Sequence, residues 1–280
     1  MLSWSKGVTY LKATAIFEKR SQGIHADKVI DIKNVDFTYA QVRNEQIILH
    51  DVNLSLYEHE FICVLGPSGC GKSTLLNILA GFQQPTTGKV MIHGHIHTKP
   101  NSDVGVVFQH PNLFPWLTIE KNIEFGLKMQ KVPKEERRQL VSNYLELVDL
   151  TTAAKKLPHQ LSGGMKQRAA LARTLATNPK AILMDEPFSA LDALTRETMQ
   201  KHLLDIWNQT KKCIFFITHD VEEALKLATR IIVMHPNPGR IAIDTENPLN
   251  IDHYEEGTFH YHEKFTELRQ FFISKIREQL

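Results

Sequence analysis

Two glycine-rich stretches of this chain have the composition of anion-binding loops. The first, GPSGCGKST at 66–74, follows the apolar run FICVLG and precedes STLLNILAGF, so it lies between a predicted strand and a predicted helix. The second, LSGGMKQR, begins at Leu161 and opens a run of good helix formers. Backbone N–H groups at a helix start, together with the positive end of the helix dipole, attract phosphate groups. One chain therefore contains two candidate phosphate sites.

The first stretch fits the pattern G-x-x-x-x-G-K-[ST] in the strand–loop–helix context that this pattern requires. Its glycines permit a tight loop whose N–H groups surround nucleotide phosphates, Lys72 is expected to reach the β- and γ-phosphates, and Ser73 is expected to offer its hydroxyl to Mg²⁺. The predicted nucleotide-binding residues are Gly66, Pro67, Ser68, Gly69, Cys70, Gly71, Lys72, Ser73 and Thr74.

Polar side chains follow other predicted strands. The apolar run AILM ends in Asp185, a candidate Mg²⁺ ligand, and Glu186, a candidate general base for the attacking water. His219 follows CIFFIT, at the strand end where ligands bind in open α/β sheets, although such a histidine by itself is more typical of a loop than of a catalytic site. Gln109 also follows a strand and is expected to contact metal or water. Tyr39 is a candidate for stacking on adenine, and packing is its alternative interpretation.

Short apolar runs alternate with helical segments along most of the chain, which predicts an α/β fold with a mostly parallel sheet. The predicted strands include KVMIHGHIH (89–97), VGVVFQ (104–109), AILMDE (181–186) and RIIVM (230–234). Between Gln109 and Leu161 the apolar spacing becomes helical. One stripe contains Ile119, Ile123 and Leu127, and a second contains Leu140, Val141, Tyr144, Leu145 and Val148.

These patterns divide the chain into an N-terminal extension of no assigned role (1–27), a main domain (28–245) with an inserted helical subdomain at about 110–165, and a C-terminal tail (246–280). The tail is expected to end in an amphipathic helix.

Composition narrows the classes of function. The formal net charge is only +2, so no broad basic field points to nucleic acid as a partner. Three widely spaced cysteines favour a reducing compartment over a disulfide framework. The apolar runs are all too short to predict a secretory signal or a membrane-spanning helix.

Taken together, the motifs resemble those of ATP-binding cassette (ABC) ATPases. Tyr39, GPSGCGKST, Gln109, LSGGMKQR, AILMDE, SALD (189–192) and His219 occur in the order of that family, and the resemblance covers residues 28–245. It implies a RecA-like P-loop NTPase core with an antiparallel β edge region. It also implies that Ser162, Gly163 and Gly164 bind the γ-phosphate of an ATP held by a facing subunit, with Asp192 near the dimer seam. ATP and Mg²⁺ are the implied ligands, and a homodimer or a pair with a second ABC ATPase is the implied assembly.

The loop HPNLFPWLTIEKN (110–122) is a proline-broken segment that contains three large apolar residues, Phe114, Trp116 and Leu117. They either pack the helical subdomain or line a groove for a helix from a membrane subunit. The segment NLFPWLTIEKNIEFGL resembles the corresponding segment of importer ATPases for nitrate, sulfonate and taurine. This implies an ATPase held peripherally at the cytoplasmic face of the membrane, with permease subunits and a solute-binding protein as partners. An exporter ATPase and a soluble non-transport ABC protein are the alternatives.

Three further features allow two interpretations each. Cys70 is either a small filler or a reactive thiolate stabilised by Lys72. His93, His95 and His97 are expected on one face of a strand, either facing solvent or binding metal, and solvent is favoured. The same alternatives apply to His260 and His262.

Overall fold

The computed structural model describes residues 27–40, 45–249 and 263–278. The N-terminal extension before Asp27 and the pair His260 and His262 lie outside the described residues. The chain forms two compact units. The first contains the described residues of Met1–Leu75, Pro85–Ile96 and Phe216–Leu280, and the second contains Leu76–Gln84 and His97–Phe215.

The strands are β1 (Lys28–Ala40), β2 (Glu45–Tyr57), β3 (Phe61–Leu65), β4 (Thr87–Ile92), β5 (His95–Ile96), β6 (Val104–Val107), β7 (Ala181–Asp185), β8 (Cys213–Ile217), β9 (Arg230–His235) and β10 (Arg240–Glu246). The helices are α1 (Lys72–Leu79), α2 (Ile119–Met129), α3 (Lys134–Leu147), α4 (Gly163–Ala176), α5 (Ala193–Thr210), α6 (Val221–Leu227) and α7 (Glu263–Arg277). Short 3₁₀ turns occupy Thr151–Ala153 and Pro158–Gln160.

The first unit combines an antiparallel sheet with part of a parallel one. The antiparallel strands lie in the order β2-β1-β4-β5, and Ile32 of β1 pairs with Leu54 on one side and Val90 on the other. Strand β3 pairs in parallel with β9, with Val64 opposite Ile232, and β10 pairs antiparallel with β9. All five side chains of β3 are buried, as the continuous apolar run predicts.

The C-terminal helix α7 packs against α6 and β9 in this first unit. Its buried residues Phe265, Leu268 and Phe272 recur at spacings of three and four, which confirms the predicted amphipathic helix. Arg269 Nε of α7 donates a hydrogen bond to Glu222 Oε1 of α6 over 2.7 Å.

The second unit contains the parallel pair β6 and β7 and four of the helices. Helices α2, α3 and α4 pack on one another, and α4 also covers β6. The predicted stripe Ile119, Ile123 and Leu127 is buried along α2. The parallel pairings, the antiparallel sheet and the helices confirm the predicted α/β fold class with an antiparallel β region.

One strand prediction is wrong. Residues 89–97 do not form a single strand with three histidines on one face. Strand β4 ends at Ile92, His93 and Gly94 turn the chain with φ of 45° and 79°, and β5 begins at His95. His97 is 5% exposed, so it does not face solvent, and burial lowers its pKa. The alternation of histidines continues across a tight turn, which is why spacing alone missed the turn.

Candidate functional site

The phosphate loop (66–74) leaves the buried end of β3 and enters α1 at Lys72. Gly69 and Gly71 have φ of 82° and 91°, in the left-handed region that glycine adopts without strain. A Cβ atom on Gly71 would also lie 2.5 Å from the side chain of Leu49. Glycine is therefore required at position 71 by both conformation and space, as the motif predicts.

Lys72 is buried, and its side chain folds into the phosphate loop. Its Nζ donates hydrogen bonds to the carbonyl oxygens of Gly66 over 2.8 Å and Pro67 over 3.0 Å. An ammonium group enclosed by a backbone loop at a helix start creates a strong local site for anions. The residues present thus fit a bound phosphate chain.

Cys70 is buried in the same loop, with its Sγ 3.7 Å from Lys72 Nζ. Burial raises the pKa of the Cys70 thiol, and the smaller opposing effect of Lys72 does not reverse the shift. The structure therefore favours the interpretation of Cys70 as a filler over that of a stabilised thiolate.

Gly239, which was not predicted from the sequence, packs against the phosphate loop. The N–H of Gly239 donates to Ile48 O over 2.8 Å, and its carbonyl accepts from His50 N over 2.9 Å. A Cβ atom on Gly239 would lie 2.4 Å from Cys70 O. The stretch NPGR (237–240) contains this residue, and the need for glycine comes from its close approach both to Cys70 O and to Ile48 O, which would lie 2.6 Å from the same Cβ.

His219 lies at the start of the turn between β8 and α6, also in the first unit, and it is exposed. The preceding Thr218 donates its N–H to Val64 O of β3 over 3.2 Å. Since β3 leads into the phosphate loop, the structure brings His219 to the same end of β3. Asp220 then caps α6, with its Oδ1 accepting from Glu222 N over 2.8 Å.

Tyr39 lies near the end of β1 and is 41% exposed. Its ring meets Phe37 edge-on, with the centroids 4.8 Å apart. Part of the ring therefore packs and part is accessible, so packing and ligand stacking are compatible for this residue.

In the second unit, Asp185 is the last residue of β7, and Gln109 lies two residues after the end of the neighbouring parallel strand β6. Val107 of β6 lies opposite Met184 of β7, so the two polar residues reach the same edge of the sheet. Glu186 comes next, with a φ of 43° that is unusual for a non-glycine residue. Backbone strain of about 1–3 kcal/mol of this kind is concentrated at functional sites. Ser189 holds the turn, since its Oγ donates to Glu186 O over 2.9 Å.

The signature loop (161–164) begins α4, also in the second unit. Ser162 is the N-cap, and its Oγ accepts from Met165 N over 3.3 Å. Asp192 caps α5 in the same way, accepting from Thr195 N over 3.0 Å. Hydrogen bonds from Thr195 lower the pKa of Asp192, which keeps the carboxylate charged. Gly164 packs against Thr195, so the structure brings the two helix starts together.

The aromatic loop (110–118) lies between Gln109 and α2. Phe114 packs against Phe125 and Trp116, with centroids 4.6 Å and 5.8 Å apart. Trp116 is nonetheless 73% exposed, whereas Leu117 is half-buried. Packing thus accounts for part of this loop and leaves an aromatic surface accessible.

Asn122 of α2 holds this loop through hydrogen bonds, a role that was not predicted from the sequence. Its Oδ1 accepts from Phe114 N over 2.8 Å, and its Nδ2 donates to the carbonyl oxygens of Leu117 and Thr118, each over 3.0 Å. The residue is fully buried. An asparagine within an apolar helical stripe is a signal for such a role, because a buried amide requires partners.

The predicted site residues thus fall into two sets. The phosphate loop, Tyr39 and His219 belong to the first unit. The second unit contains Gln109, Asp185, Glu186, the signature loop and Asp192. Across the described residues, no group of three or more His, Cys, Asp or Glu side chains could hold a metal ion. Within the described ranges, no helix combines the length and apolar character that a membrane crossing requires.

Comparison with known proteins finds relatives of this chain in both sequence and fold. A sequence profile described as ABC transporter matches residues 49–189. The chain is 44% identical to the nitrate import ATP-binding protein NrtD of Synechocystis sp. over 81% of this chain and 85% of the relative. It is 48% identical to the taurine import ATP-binding protein TauB of Roseobacter denitrificans over 76% of this chain and 80% of the relative.

A solved dimeric ATP-binding cassette, in a post-hydrolysis state with ADP and Pi, has the same fold. It aligns with a TM-score of 0.69 and 35% identity, covering 78% of this chain and 98% of that one. With the phosphate loop, the acidic strand end and the signature loop in place, the chain belongs to the ABC transporter family and is an ATP-hydrolysing cassette of that family.

Proposed function

We propose that this chain is the ATP-hydrolysing subunit of a membrane importer for a small solute of the nitrate, sulfonate or taurine type. The observation that carries the proposal is the 44% and 48% identity to nitrate and taurine import ATP-binding proteins, each over more than three quarters of this chain. The aromatic loop supports it further, because an accessible Trp116 beside a packed Phe114 suits the reception of a partner helix.

ATP binds first to the phosphate loop. The backbone N–H groups of residues 66–74 surround the phosphates, and Lys72 exchanges its contacts with Gly66 and Pro67 for the β- and γ-phosphates. Tyr39 stacks on the adenine with the part of its ring that Phe37 leaves accessible. The enclosed position of the Lys72 ammonium supports this assignment.

Ser73, Gln109 and Asp185 would hold Mg²⁺ together with the phosphates. Mg²⁺ usually takes one or two carboxylates plus substrate phosphates, so it does not need a group of three acidic or histidine side chains. When bound, it neutralises charge that develops on the phosphate oxygens. The positions of Asp185 at the end of β7 and of Gln109 just after β6 support this assignment.

Glu186 accepts a proton from water as that water attacks the γ-phosphorus. The bond from that phosphorus to the bridging oxygen breaks, and ADP and phosphate leave. His219 orients the water and the γ-phosphate by hydrogen bonding. The position of Glu186 directly after the last residue of β7 supports a functional role for this carboxylate.

The signature loop acts on an ATP held by a facing subunit, either a second copy or another ABC ATPase. Ser162, Gly163 and Gly164 present the N-terminus of α4 to the γ-phosphate, and Asp192 lies at the dimer seam. The first N–H groups of a helix have no partner within the helix, so they are suited to an anion. ATP then stabilises the closed pair, and hydrolysis loosens it.

The pair attaches to permease subunits through Phe114, Trp116 and Leu117, and so lies peripherally at the cytoplasmic face of the membrane. A solute-binding protein completes the importer.

Purification of a tagged chain from detergent extracts tests this assignment through the proteins that accompany it. A permease together with a solute-binding protein is the expected result. A permease without one would favour an exporter, and ribosomes or DNA would indicate a soluble non-transport role. Either would overturn the import assignment.

A further inference from the structure

Helix α4, which begins at the signature loop, contacts the segment that leads to the aromatic loop at successive points. Gln167 Nε2 donates to Phe108 O over 3.1 Å, and the Thr174 hydroxyl, which donates to Ala170 O over 3.0 Å, also lies 3.3 Å from Val106 O. Gln167 and Thr174 are seven residues apart, which places them on one helix face, and both are buried. The helix therefore holds the backbone immediately before Gln109.

Arg173 extends this contact into the aromatic loop itself. Its two terminal nitrogens donate to Asn112 O over 2.7 Å and Pro111 O over 3.1 Å. The guanidinium carbon also lies 5.8 Å from the centroid of the Phe114 ring. A planar guanidinium presents separate N–H groups to two carbonyls and its flat face to a ring, a fixed geometry that the ammonium of lysine does not have. Arg173 thus joins α4 to both halves of the loop.

Helix α4 therefore links two functional surfaces. At its start, Ser162 and Gly163 are exposed. Toward its end, Arg173 holds the aromatic loop, where Trp116 is exposed between the Arg173 contacts and the Asn122 contacts. A displacement of the helix start is expected to reach Trp116, because packed helices move as rigid bodies more readily than they deform.

We propose that Arg173 is a positioning residue. When ATP pairs two chains, Arg173 transmits a displacement of the signature loop to the aromatic loop. This inference rests on the proposed function, in which the signature loop contacts ATP across the pair. The paired and unpaired chains supply the two states that such coupling requires. Arg173 touches neither nucleotide nor permease in this scheme.

Trp116 itself provides the probe. The full-length chain would contain Glu186→Gln to retain ATP, with Trp4→Phe and Trp207→Phe so that Trp116 is the single tryptophan. Size-exclusion chromatography with ATP and Mg²⁺ measures pairing, and iodide quenching measures the accessibility of Trp116. The variants compared are Arg173→Met, Arg173→Lys, Gly163→Asp and the matched control Arg138→Met, which changes an exposed arginine that pairs with Glu135 on α3.

ATP is expected to pair the parent chain and the Arg138→Met control, and to change Trp116 quenching in both. Arg173→Met is expected to pair and to lose most of the quenching change. Arg173→Lys, the milder variant, is expected to pair and to lose part of it. A full quenching change in either paired Arg173 variant, or no change in the paired parent, would overturn this inference alone. Normal pairing of Gly163→Asp would instead overturn the proposed function, and this inference with it.

Discussion

Gly164 lies so close to Thr195 that a Cβ atom at position 164 would be 2.8 Å from Thr195 Cγ2. The neighbouring Gly163 is less constrained, since its Cβ would be 3.3 Å from Leu191 Cδ2. The two glycines of the signature loop therefore differ. Gly164 lets α4 and α5 approach, whereas Gly163 is exposed and is the better position for testing ligand contact without disturbing the packing.

Gly164→Ala should destabilise the chain, because the new methyl group would displace a branched side chain in the first turn of α5. Overpacking of this kind typically costs about 1–3 kcal/mol. Removing the opposing methyl with Thr195→Ser should recover most of the loss in the double variant. Thermal unfolding of the two single variants and the double variant measures this, and equal losses in Gly164→Ala with and without Thr195→Ser would contradict the packing explanation.

Glu186→Gln should retain ATP binding and lose hydrolysis by roughly 10²–10⁴-fold, the contribution typical of a general base. The amide cannot accept the proton from water, but it preserves the shape of the side chain. Phosphate release measures turnover, and size-exclusion chromatography should reveal a trapped ATP-bound dimer.

The matched control for that variant is Glu135→Gln, which makes the same chemical change at a carboxylate 80% exposed on α3. It is expected to hydrolyse ATP at the parent rate. Normal hydrolysis by Glu186→Gln would show that another group accepts the proton.

Cys70 should react slowly with maleimide near neutral pH. Burial raises its pKa above the ordinary thiol value, so the reactive thiolate is scarcer at pH 7 than in an exposed cysteine. The rate should increase as pH rises toward that pKa, and ATP should slow it further. Mass spectrometry of the labelled peptide measures the rate, with the urea-unfolded chain as reference. Labelling of the folded chain at the unfolded rate would contradict this protection, and labelling above that rate would indicate that Lys72 activates the thiol.

Asn122→Ala should destabilise the second unit and loosen the aromatic loop. The Leu117 carbonyl would lose its Asn122 donor and the Phe114 N–H would lose its acceptor, and an unsatisfied buried polar group costs about 1–3 kcal/mol. Asn143→Ala, at an exposed asparagine of α3, is the control and should be near neutral. Thermal unfolding and proteolysis around Trp116 report the two effects. Equal behaviour of the two variants would contradict the role of Asn122.

Local patterns predicted most of the elements that position the site. The strand–loop–helix context of the phosphate loop and the stripe Ile119, Ile123 and Leu127 are confirmed, because both depend on residues close together in sequence. The turn at His93 and Gly94 was missed, since the two-residue alternation of histidines continues through it.

Tertiary contacts could not be predicted in this way. The need for glycine at position 239 arises from its close approach to Cys70 and Ile48, and Asn122 and Arg173 donate to loop carbonyls. Backbone carbonyls are present at every residue, so the sequence does not mark which of them a side chain will bind. The strained φ of Glu186 likewise has no counterpart in composition or spacing.

In the proposed mechanism, each chain supplies half of an ATP site and a facing chain supplies the rest. A mixture of Lys72→Ala and Gly163→Asp chains distinguishes this shared site from one contained in a single chain. In a mixed pair, the intact phosphate loop of one chain meets the intact signature loop of the other, so one whole site forms. ATP-driven pairing, measured by size-exclusion chromatography, should appear in the mixture and be absent from each variant alone. A mixture that pairs no better than the separate variants would contradict the account.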